Sequence, residues 1–244
     1  MLCITFDSMK PFKFKEFTVY QNQCAMKVGT DGVLLGAWAS LDKLPESILD
    51  IGAGTGLIAL QMAQRSSAEV IDAIELDDGA YEQCVTNFEA SPWGDRLFCY
   101  HAGFDEFVDE MDDKYDLIVS NPPFYSEDVA SGNEPRDKAR QNISLPFGEL
   151  VEGAAKLLTE DGIFAVIIPF KEESNFIALA KNSGLFPVRI TRVKGNPETD
   201  FKRCLMEFCF NEVKPNINNL VIEVGRHQYT KEYIELTQAF YLKI

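Results

Sequence analysis

The chain has 244 residues, of which 46% are hydrophobic, so it can bury a substantial core and falls among ordinary globular proteins. Its formal net charge of −15 argues against a general polyanion binder, because phosphate contacts need lysine and arginine. No apolar run reaches the roughly 18 residues of a membrane span, and the first residues lack the basic flank of a signal peptide. With two histidines and six cysteines that form no CxxC pair, we expect no metal site and reduced thiols in a cytoplasmic protein.

From about residue 47 the pattern alternates between strand and helix, which is typical of a mostly parallel sheet covered by helices on both faces. The predicted strands are residues 47–51, 69–75, 97–101, 115–120 and 163–168, the last introduced by a turn at 160–162. The predicted helices are residues 57–64, 77–89, 147–158 and 174–182, the last ending at Gly184. The fold class is therefore α/β.

The last third of the chain has a different pattern. Residues 186–193 and 203–210 are rich in β-branched and aromatic side chains, with a polar turn and no helix between them. We expect them to form a C-terminal antiparallel hairpin that closes the sheet. A further short strand is predicted at 220–224 and a closing helix at 231–241. We expect a single domain, residues 1–244.

A glycine-rich turn, DIGAGTG at 50–56, joins the first predicted strand of the sheet to its helix. Glycine lets the backbone approach a ligand closely, and the N-terminus of the helix adds N–H donors. Dinucleotide-binding enzymes use similar turns, so the turn alone is not specific. The candidate ligand-binding glycines are Gly52, Gly54 and Gly56.

Two carboxylates beside this turn favour S-adenosylmethionine as the ligand. Asp50 would repel a pyrophosphate but could face the positive amino group of a methionine moiety. Glu75 ends the next strand, where it could accept hydrogen bonds from both ribose hydroxyls. Phe104, after the third strand, could frame the adenine, although it could equally be a core residue.

The tetrapeptide Asn121-Pro122-Pro123-Phe124 directly follows the predicted strand 115–120. An adenine or amide nitrogen is a poor nucleophile because its lone pair is delocalised into a π system. The Asn121 side-chain oxygen and the Pro122 carbonyl would accept hydrogen bonds from the two N–H groups of the acceptor. The nitrogen lone pair would then turn toward a methyl donor, which Asn121 would also contact. Phe124 would stack on the ring, a contact of about 1–3 kcal/mol. Asn-Pro is also a common turn, but its place after a buried strand favours a site.

Residues 50–56 and 121–124 resemble the donor motif and the (N/D/S)PP(Y/F) motif of class I S-adenosylmethionine-dependent amino methyltransferases, which have a Rossmann-like sheet. The more specific stretch QCAMKVGTDGVLLGAW at 23–38 resembles the bacterial tRNA (adenine-N6)-methyltransferase family, which methylates adenine 37 of valine tRNA. The resemblance runs over the whole chain. It implies that residues 1–45 cover the cofactor, ahead of an α/β core at 46–244, and would implicate Gly29, Thr30 and Asp31 in binding it.

The resemblance also implies an RNA substrate whose target adenine leaves its stack, which is comparatively easy in an anticodon loop. The long polar segment 125–144, with Arg136, Lys138 and Arg140, is the candidate for gripping the RNA. Two further groups of basic residues lie at the N-terminus (Lys10, Lys13, Lys15, Lys27) and near the end of the sheet (Arg189, Arg192, Lys194, Lys202, Arg203). If all three groups of basic residues lay at one edge of the sheet, they would favour an RNA-binding surface there. We expect a monomer without metal or membrane partners, although the sequence does not set the oligomeric state.

Alternative functions remain open at this stage. A protein glutamine methyltransferase would grip the same planar NH2, but those enzymes usually carry a separate helical N-terminal domain, for which about 45 residues leave little room. An adenine-N6 methyltransferase of ribosomal RNA is excluded only by the overall resemblance. A dehydrogenase-like nucleotide-binding module would explain the glycine turn and Glu75 but not the tetrapeptide. A non-catalytic scaffold would leave both motifs without a role.

Overall fold

The structure is a computed structural model that describes residues 10–123 and 145–244. An eight-stranded sheet lies at the centre of this part of the chain. The strands in chain order are β1 (Phe12–Lys13), β2 (Thr18–Val19), β3 (Ser47–Ile51), β4 (Val70–Glu75), β5 (Leu97–His101), β6 (Tyr115–Ser120), β7 (Leu158–Pro169), β8 (Phe186–Lys194), β9 (Arg203–Cys209), β10 (Asn216–Val221), β11 (Glu223–Gly225) and β12 (Gln228–Tyr229). The helices are α1 (Thr30–Trp38), α2 (Leu57–Arg65), α3 (Asp78–Glu89), α4 (Phe104–Glu110), α5 (Phe147–Leu157), α6 (Glu173–Asn182) and α7 (Lys231–Thr237).

The strand order across the sheet is β10-β8-β9-β7-β6-β3-β4-β5. Strand β9 runs antiparallel to its neighbours β7 and β8, and the other pairs are parallel. Strands β3 to β7 therefore all end at one edge of the sheet, where β9 begins. We call it the carboxyl edge. Ligands of open α/β sheets bind at such an edge, because the loops that follow the strands meet there.

Side chains of the sheet alternate between two hydrophobic cores, as the two-residue period of a strand requires. Along β6, Leu117 and Val119 join the core beneath α1, α2 and α3, whereas Ile118 joins the core beneath α5 and α6. Both faces of the central strands are thus covered, which explains why their sequences are almost continuously apolar.

Helix α1 lies before the first strand of the sheet and is buried from Gly32 to Trp38. It approaches α2 closely: a Cβ atom on Gly36 would lie 2.2 Å from the Oε1 atom of Gln61, and one on Gly32 would lie 3.1 Å from the Cδ2 atom of Leu57. Because α2 begins directly after the glycine-rich turn, this packing fixes residues 30–38 beside the turn. The sequence pattern had not separated this helix from the segment that precedes the sheet.

The predicted class is confirmed, with a mostly parallel sheet, helices on both faces and an antiparallel β8–β9 hairpin. Strands β3, β5 and β6 have the predicted bounds. Gly184 follows α6 with a positive φ of 77°, which favours glycine at the end of a helix.

Some details of the prediction were wrong. The strand predicted at 220–224 is divided between the end of β10 and the start of β11, and the helix predicted at 231–241 ends at Thr237. Strand β7 begins at Leu158, so the turn placed at 160–162 is part of the strand, and a register shift opposite residues 115–117 absorbs the irregularity. The β8–β9 hairpin does not close the sheet, since β10 adds a parallel strand outside β8. Helix α4 was missed because only Phe107 of its seven residues is buried, which leaves no helical apolar period.

Among residues 10–123 and 145–244, the helices are all too short or too polar to span a bilayer.

Candidate active site

The glycine-rich turn between β3 and α2 places three glycines in the left-handed region, with φ values of 73° at Gly52, 57° at Gly54 and 76° at Gly56. A Cβ atom on Gly52 or Gly54 would meet nothing within 4 Å among the described residues. A Cβ atom on Gly56 would instead lie 2.5 Å from the Cε1 atom of Phe88. The first two glycines thus border open space in which a ligand can lie, while the third lets the turn pack against α3.

Glu75, the last residue of β4, bridges the turn to the start of α3. Its Oε2 atom accepts a hydrogen bond of 2.8 Å from the backbone N–H of Gly54. Its Oε1 atom accepts bonds of 2.9 Å from the N–H groups of Leu76 and Asp77. A carboxylate has about four acceptor sites, so this one retains capacity for a hydroxyl donor. The carboxylate is thus anchored at the open side of the turn, where the sequence placed a ribose acceptor.

Asp50 lies beneath the turn and is fully buried. Its Oδ2 atom accepts a 3.1 Å hydrogen bond from the N–H of Ala59 in the first turn of α2, and its Oδ1 atom has no partner among the described residues. Burial and the nearby charge of Glu75 raise the pKa of the Asp50 carboxyl to about 7, although the bond from Ala59 opposes the shift. The side chain therefore fixes β3 to α2, and its contact with a methionine amino group stays a prediction.

The segment before the sheet is tied to the glycine-rich turn by Asn87 of α3, which is fully buried. The Asn87 Nδ2 atom donates to the carbonyl oxygens of Tyr20 at 2.9 Å and Thr55 at 2.8 Å, and its Oδ1 atom accepts from the N–H of Tyr20 at 2.8 Å. The same segment contacts α3 a second time, since the backbone N–H of Gln23 donates to the Gln83 Oε1 atom at 3.3 Å. Burial raises the pKa of the adjacent Cys24 thiol to about 11, and the charges of Glu75 and Asp77 add to this effect while that of Lys27 opposes it. The turn, β4 and the segment around residue 24 thus meet at the carboxyl edge.

Gly29, Thr30 and Asp31 form the start of α1, with Gly29 as its N-cap. The Asp31 Oδ2 atom accepts a 2.6 Å hydrogen bond from the Nε atom of Arg203, the first residue of β9. This ion pair connects the start of α1 to the carboxyl edge. It gives Asp31 a structural partner, and the predicted cofactor contacts of these three residues remain untested.

Asn121 directly follows β6, beside the turn that follows β3. Its neighbour Ser120 is fully buried, and the Ser120 Oγ atom donates a 2.9 Å hydrogen bond to the carbonyl of Ile51. The Asn121 Oδ1 atom is buried without a hydrogen-bond partner among the described residues. Buried amide oxygens are rarely left unpaired, because desolvation without a bond costs about 1–3 kcal/mol. An unused acceptor here is consistent with a ligand that brings its own N–H donor.

Pro122 is buried and Pro123 is partly exposed. The other residues predicted for the substrate side, Phe124, Arg136, Lys138 and Arg140, lie outside the described residues. Phe104 begins α4 and its ring packs on α5, since a Cβ atom on Gly153 would lie 2.4 Å from the Phe104 Cε1 atom. This contact supports the core interpretation of Phe104, and its role at an adenine stays a prediction.

The basic residues near the end of the sheet fall into two kinds. Arg189 forms two hydrogen bonds with Glu207, and Arg192 forms two with Glu173. Lys194, Lys202 and Arg203 stand at the carboxyl edge, where β8 ends and β9 begins. At the N-terminus, Lys27 holds its own segment, because its Nζ atom donates to the carbonyls of Gln21 at 2.6 Å and Cys24 at 2.5 Å. Within residues 10–123 and 145–244, the basic group near the end of the sheet therefore places positive charge at the carboxyl edge around the β8–β9 turn.

Within the described residues, the site suits S-adenosylmethionine in three respects: open space over two glycines, an anchored carboxylate and an amide oxygen without a partner just after the neighbouring strand. No group of three or more histidine, cysteine, aspartate or glutamate side chains suited to a metal ion occurs in residues 10–123 and 145–244. Sequence reasoning missed Ser120, Asn87 and Arg203 as residues that hold the site together. Each acts on a partner distant in sequence, which leaves no local pattern.

Comparisons with known proteins show the family of this chain. The Methyltransferase small domain family matches residues 30–182. Among curated relatives, the tRNA1(Val) (adenine(37)-N6)-methyltransferase of Flavobacterium johnsoniae is 63% identical over 96% of this chain and 100% of its own length. The proteins of the same name from Christiangramia forsetii and Bacteroides fragilis are 59% and 44% identical, over 97% and 96% of this chain and 100% and 98% of their own lengths.

Solved structures show the same fold at low sequence identity. A protein from Agrobacterium tumefaciens described as an O-methyltransferase has a TM-score of 0.67 and 19% identity, over 86% of this chain and 96% of its own. The TYW2 protein of Pyrococcus horikoshii, solved in complex with MeSAdo, has a TM-score of 0.57 and 15% identity, over 83% and 71%. The chain belongs to the methyltransferase small domain family and, within it, to the tRNA1(Val) (adenine(37)-N6)-methyltransferases.

Proposed function

We propose that the chain transfers a methyl group from S-adenosylmethionine to the exocyclic N6 of adenine 37 in the anticodon loop of valine tRNA. The relatives named above support the substrate, since three of them carry that activity in their names and match nearly the whole chain. The single observation that carries the chemistry is the Oδ1 atom of Asn121 beside the glycine-rich turn, which is buried and has no hydrogen-bond partner in the described part of the chain. The single-domain organisation and the cytoplasmic location expected from the sequence are part of the same proposal.

Asn121 prepares the acceptor nitrogen. Its Oδ1 atom accepts one N–H bond of the adenine amino group and the Pro122 carbonyl accepts the other, so the nitrogen lone pair is held out of the ring plane and faces the donor. The bound cofactor supplies an electrophilic methyl group on a sulfonium. Because amide and carbonyl oxygens accept without taking a proton, the amino proton passes to solvent after transfer.

The donor side is held by backbone and carboxylates. Gly52 and Gly54 let the main chain approach the cofactor, and Glu75 accepts from a ribose hydroxyl of the cofactor while keeping the turn closed through Gly54. Asp50 supports the turn from below through Ala59. On the cofactor side, the start of α1 closes the site with Gly29, Thr30 and Asp31, and Phe104 borders the adenine pocket. On the substrate side, Phe124 stacks on the target base, and the RNA is contacted by Arg136, Lys138 and Arg140.

Replacement of Asn121 tests the acceptor role. We expect Asn121→Ala to lower kcat by at least 100-fold, as loss of a preorganised acceptor does, while the Kd of S-adenosylmethionine measured by calorimetry stays within about threefold. The matched control is Asn182→Ala, an exposed asparagine at the end of α6. Near-normal kcat in the Asn121 variant would show that the acceptor lies elsewhere. Parallel assays with ribosomal RNA and with a glutamine-containing protein pool separate the alternative substrates.

A further inference from the structure

A pair of phenylalanines forms a ledge at the carboxyl edge, two strands away from the glycine-rich turn. Phe170 follows β7 and Phe201 precedes β9, and their ring centroids are 5.3 Å apart at an interplanar angle of 51°. The backbone holds the pair together, since the Phe170 N–H donates to the Lys202 carbonyl at 3.1 Å and the Lys202 N–H donates to the Val193 carbonyl at 2.8 Å. We call Phe170, Lys171, Lys194, Phe201 and Lys202 the lysine ledge.

A cation lies over one face of each ring. The Nζ atom of Lys194 lies 5.2 Å from the Phe201 centroid, and the Arg192 guanidinium carbon lies 5.6 Å from the Phe170 centroid. Cation–π contacts of this kind stabilise a cation by about 0.5–1 kcal/mol at exposed sites and hold it in place. The rings are therefore supports for charge, and their covered faces are poorly placed for stacking on a base.

The three lysines of the ledge are available to an anion. None of them forms an ion pair with a described residue, whereas Arg192 is bonded twice to Glu173. Lys171 and Lys202 are exposed, and the Nζ atom of Lys194 donates to the Pro197 carbonyl at 3.3 Å. In a chain with a net charge of −15, the ledge thus places three lysines without an ion pair to a described residue along one edge.

The ledge lies beside the acceptor residue. Strands β7 and β6 are adjacent and parallel, with Val166 opposite Ser120, so Asn121 comes one residue after this pair and Pro169 three residues after it. At about 3.3 Å per residue, β7 carries Pro169 roughly 10 Å beyond the end of β6, and Phe170 directly follows it. Across the carboxyl edge the order is therefore lysine ledge, acceptor residue, glycine-rich turn and Glu75.

We propose that the lysine ledge binds the phosphate backbone of the RNA next to the target nucleotide, a contact that rests on the proposed function and extends it. Lysine ammonium groups bind phosphate as point charges, independently of base sequence. The ledge positions the RNA strand, and base recognition is left to the acceptor pocket. Three carboxylates nearby, Glu172, Glu198 and Asp200, oppose the contact and limit its strength.

Removal of two ledge charges tests the proposal. We expect Lys194→Gln/Lys202→Gln to raise the Kd of valine tRNA about tenfold near 0.1 M salt and to flatten the dependence of log K on log salt by about 1.5, since each phosphate contact contributes roughly 0.7–0.9. The Kd of S-adenosylmethionine and kcat at saturating tRNA should stay within about twofold. The matched control is Lys43→Gln/Lys181→Gln, which removes the same charge from exposed positions before β3 and at the end of α6.

A second variant probes the same contact with the opposite sign. Glu198→Gln/Asp200→Asn removes repulsion beside the ledge, so tRNA should bind severalfold more tightly and with a steeper salt dependence. Unchanged affinity and salt slope in both double variants would overturn the ledge proposal. A Phe201→Ala variant that loses tRNA affinity with an unaltered salt slope would also overturn it, because base stacking would then be the contact. With either of these variant results, methylation of valine tRNA by the wild-type enzyme would limit the failure to the ledge proposal. A wild-type enzyme that does not methylate valine tRNA would instead overturn the proposed function.

Discussion

The Ser120 Oγ atom donates a 2.9 Å hydrogen bond to the Ile51 carbonyl, so the last residue of β6 is fixed to the last residue of β3. One residue later both strands have ended, and the chain continues as Asn121 after β6 and as the glycine-rich turn after β3. The bond thus sets the separation of the acceptor residue and the donor loop at the point where both leave the sheet.

Loss of this bond should misplace the acceptor more than it unfolds the protein. For Ser120→Ala we expect a loss of about 1 kcal/mol in the free energy of unfolding, the usual net value of one buried hydrogen bond. We expect kcat to fall at least tenfold, because small displacements of reacting groups cost rate steeply. Urea unfolding and single-turnover methylation measure the two effects. The control is Ser174→Ala, an exposed serine in α6; equal kcat in both variants would remove the positioning role from Ser120.

The two kinds of glycine in the turn should respond differently to alanine. Gly54→Ala places a side chain at a φ of 57° in open space, which costs about 1–2 kcal/mol of strain and obstructs the ligand. We expect its cofactor Kd to rise at least tenfold. Gly56→Ala meets Phe88 and Cys84, so we expect it to lower the melting temperature more than Gly54→Ala does. The reverse order in calorimetry and thermal unfolding would contradict this division of roles.

Glu75→Gln isolates the anchored carboxylate. An amide keeps one acceptor oxygen, but its NH2 group would face a backbone N–H that the carboxylate now binds, either at Gly54 or at Leu76 and Asp77. We expect the Kd of S-adenosylmethionine to rise at least tenfold, with little change in the KM of tRNA. Glu82→Gln, on the exposed face of α3, is the control. Cofactor binding that survives the Glu75 change would place the ribose contact at another residue.

The raised pKa of Asp50 makes stability depend on pH in a defined window. The folded protein holds the proton up to a pKa of about 7, whereas the unfolded chain releases it near the ordinary value of 3.8. Between these values the folded state binds more protons, so the free energy of unfolding should fall as pH rises from about 4 to 7 and level off above it. We expect Asp50→Asn to flatten that decline, as measured by urea unfolding across pH, whereas the exposed Asp161→Asn should not. If the free energy of unfolding of the Asp50 variant declined equally with pH, the pH dependence would come from other groups.

Local patterns in the sequence predicted the candidate site residues that stand at strand ends. The glycines, Glu75 and Asn121 stand at or directly after the ends of apolar strands, and such ends share one edge in a parallel sheet. The burial of Asp50 could not be predicted, since a carboxylate at a strand end can point to the ligand or beneath the turn. The Ser120–Ile51, Asn87–Tyr20 and Arg203–Asp31 contacts span 69, 67 and 172 residues, and only the folded chain brings them together. The lysine ledge likewise required the observed order of β6, β7 and β9.

The most direct test of the central claim is to locate the methyl group. Unmodified valine tRNA transcripts with adenine or guanine at position 37 are incubated with the enzyme and S-adenosylmethionine, and digested nucleosides and oligonucleotides are analysed by mass spectrometry. The account predicts N6-methyladenine at position 37 of the first transcript, none in the second, and initial formation in the first at least 100-fold slower with Asn121→Ala. Methylation at another position, or of a protein glutamine while the tRNA stays unmodified, would contradict it.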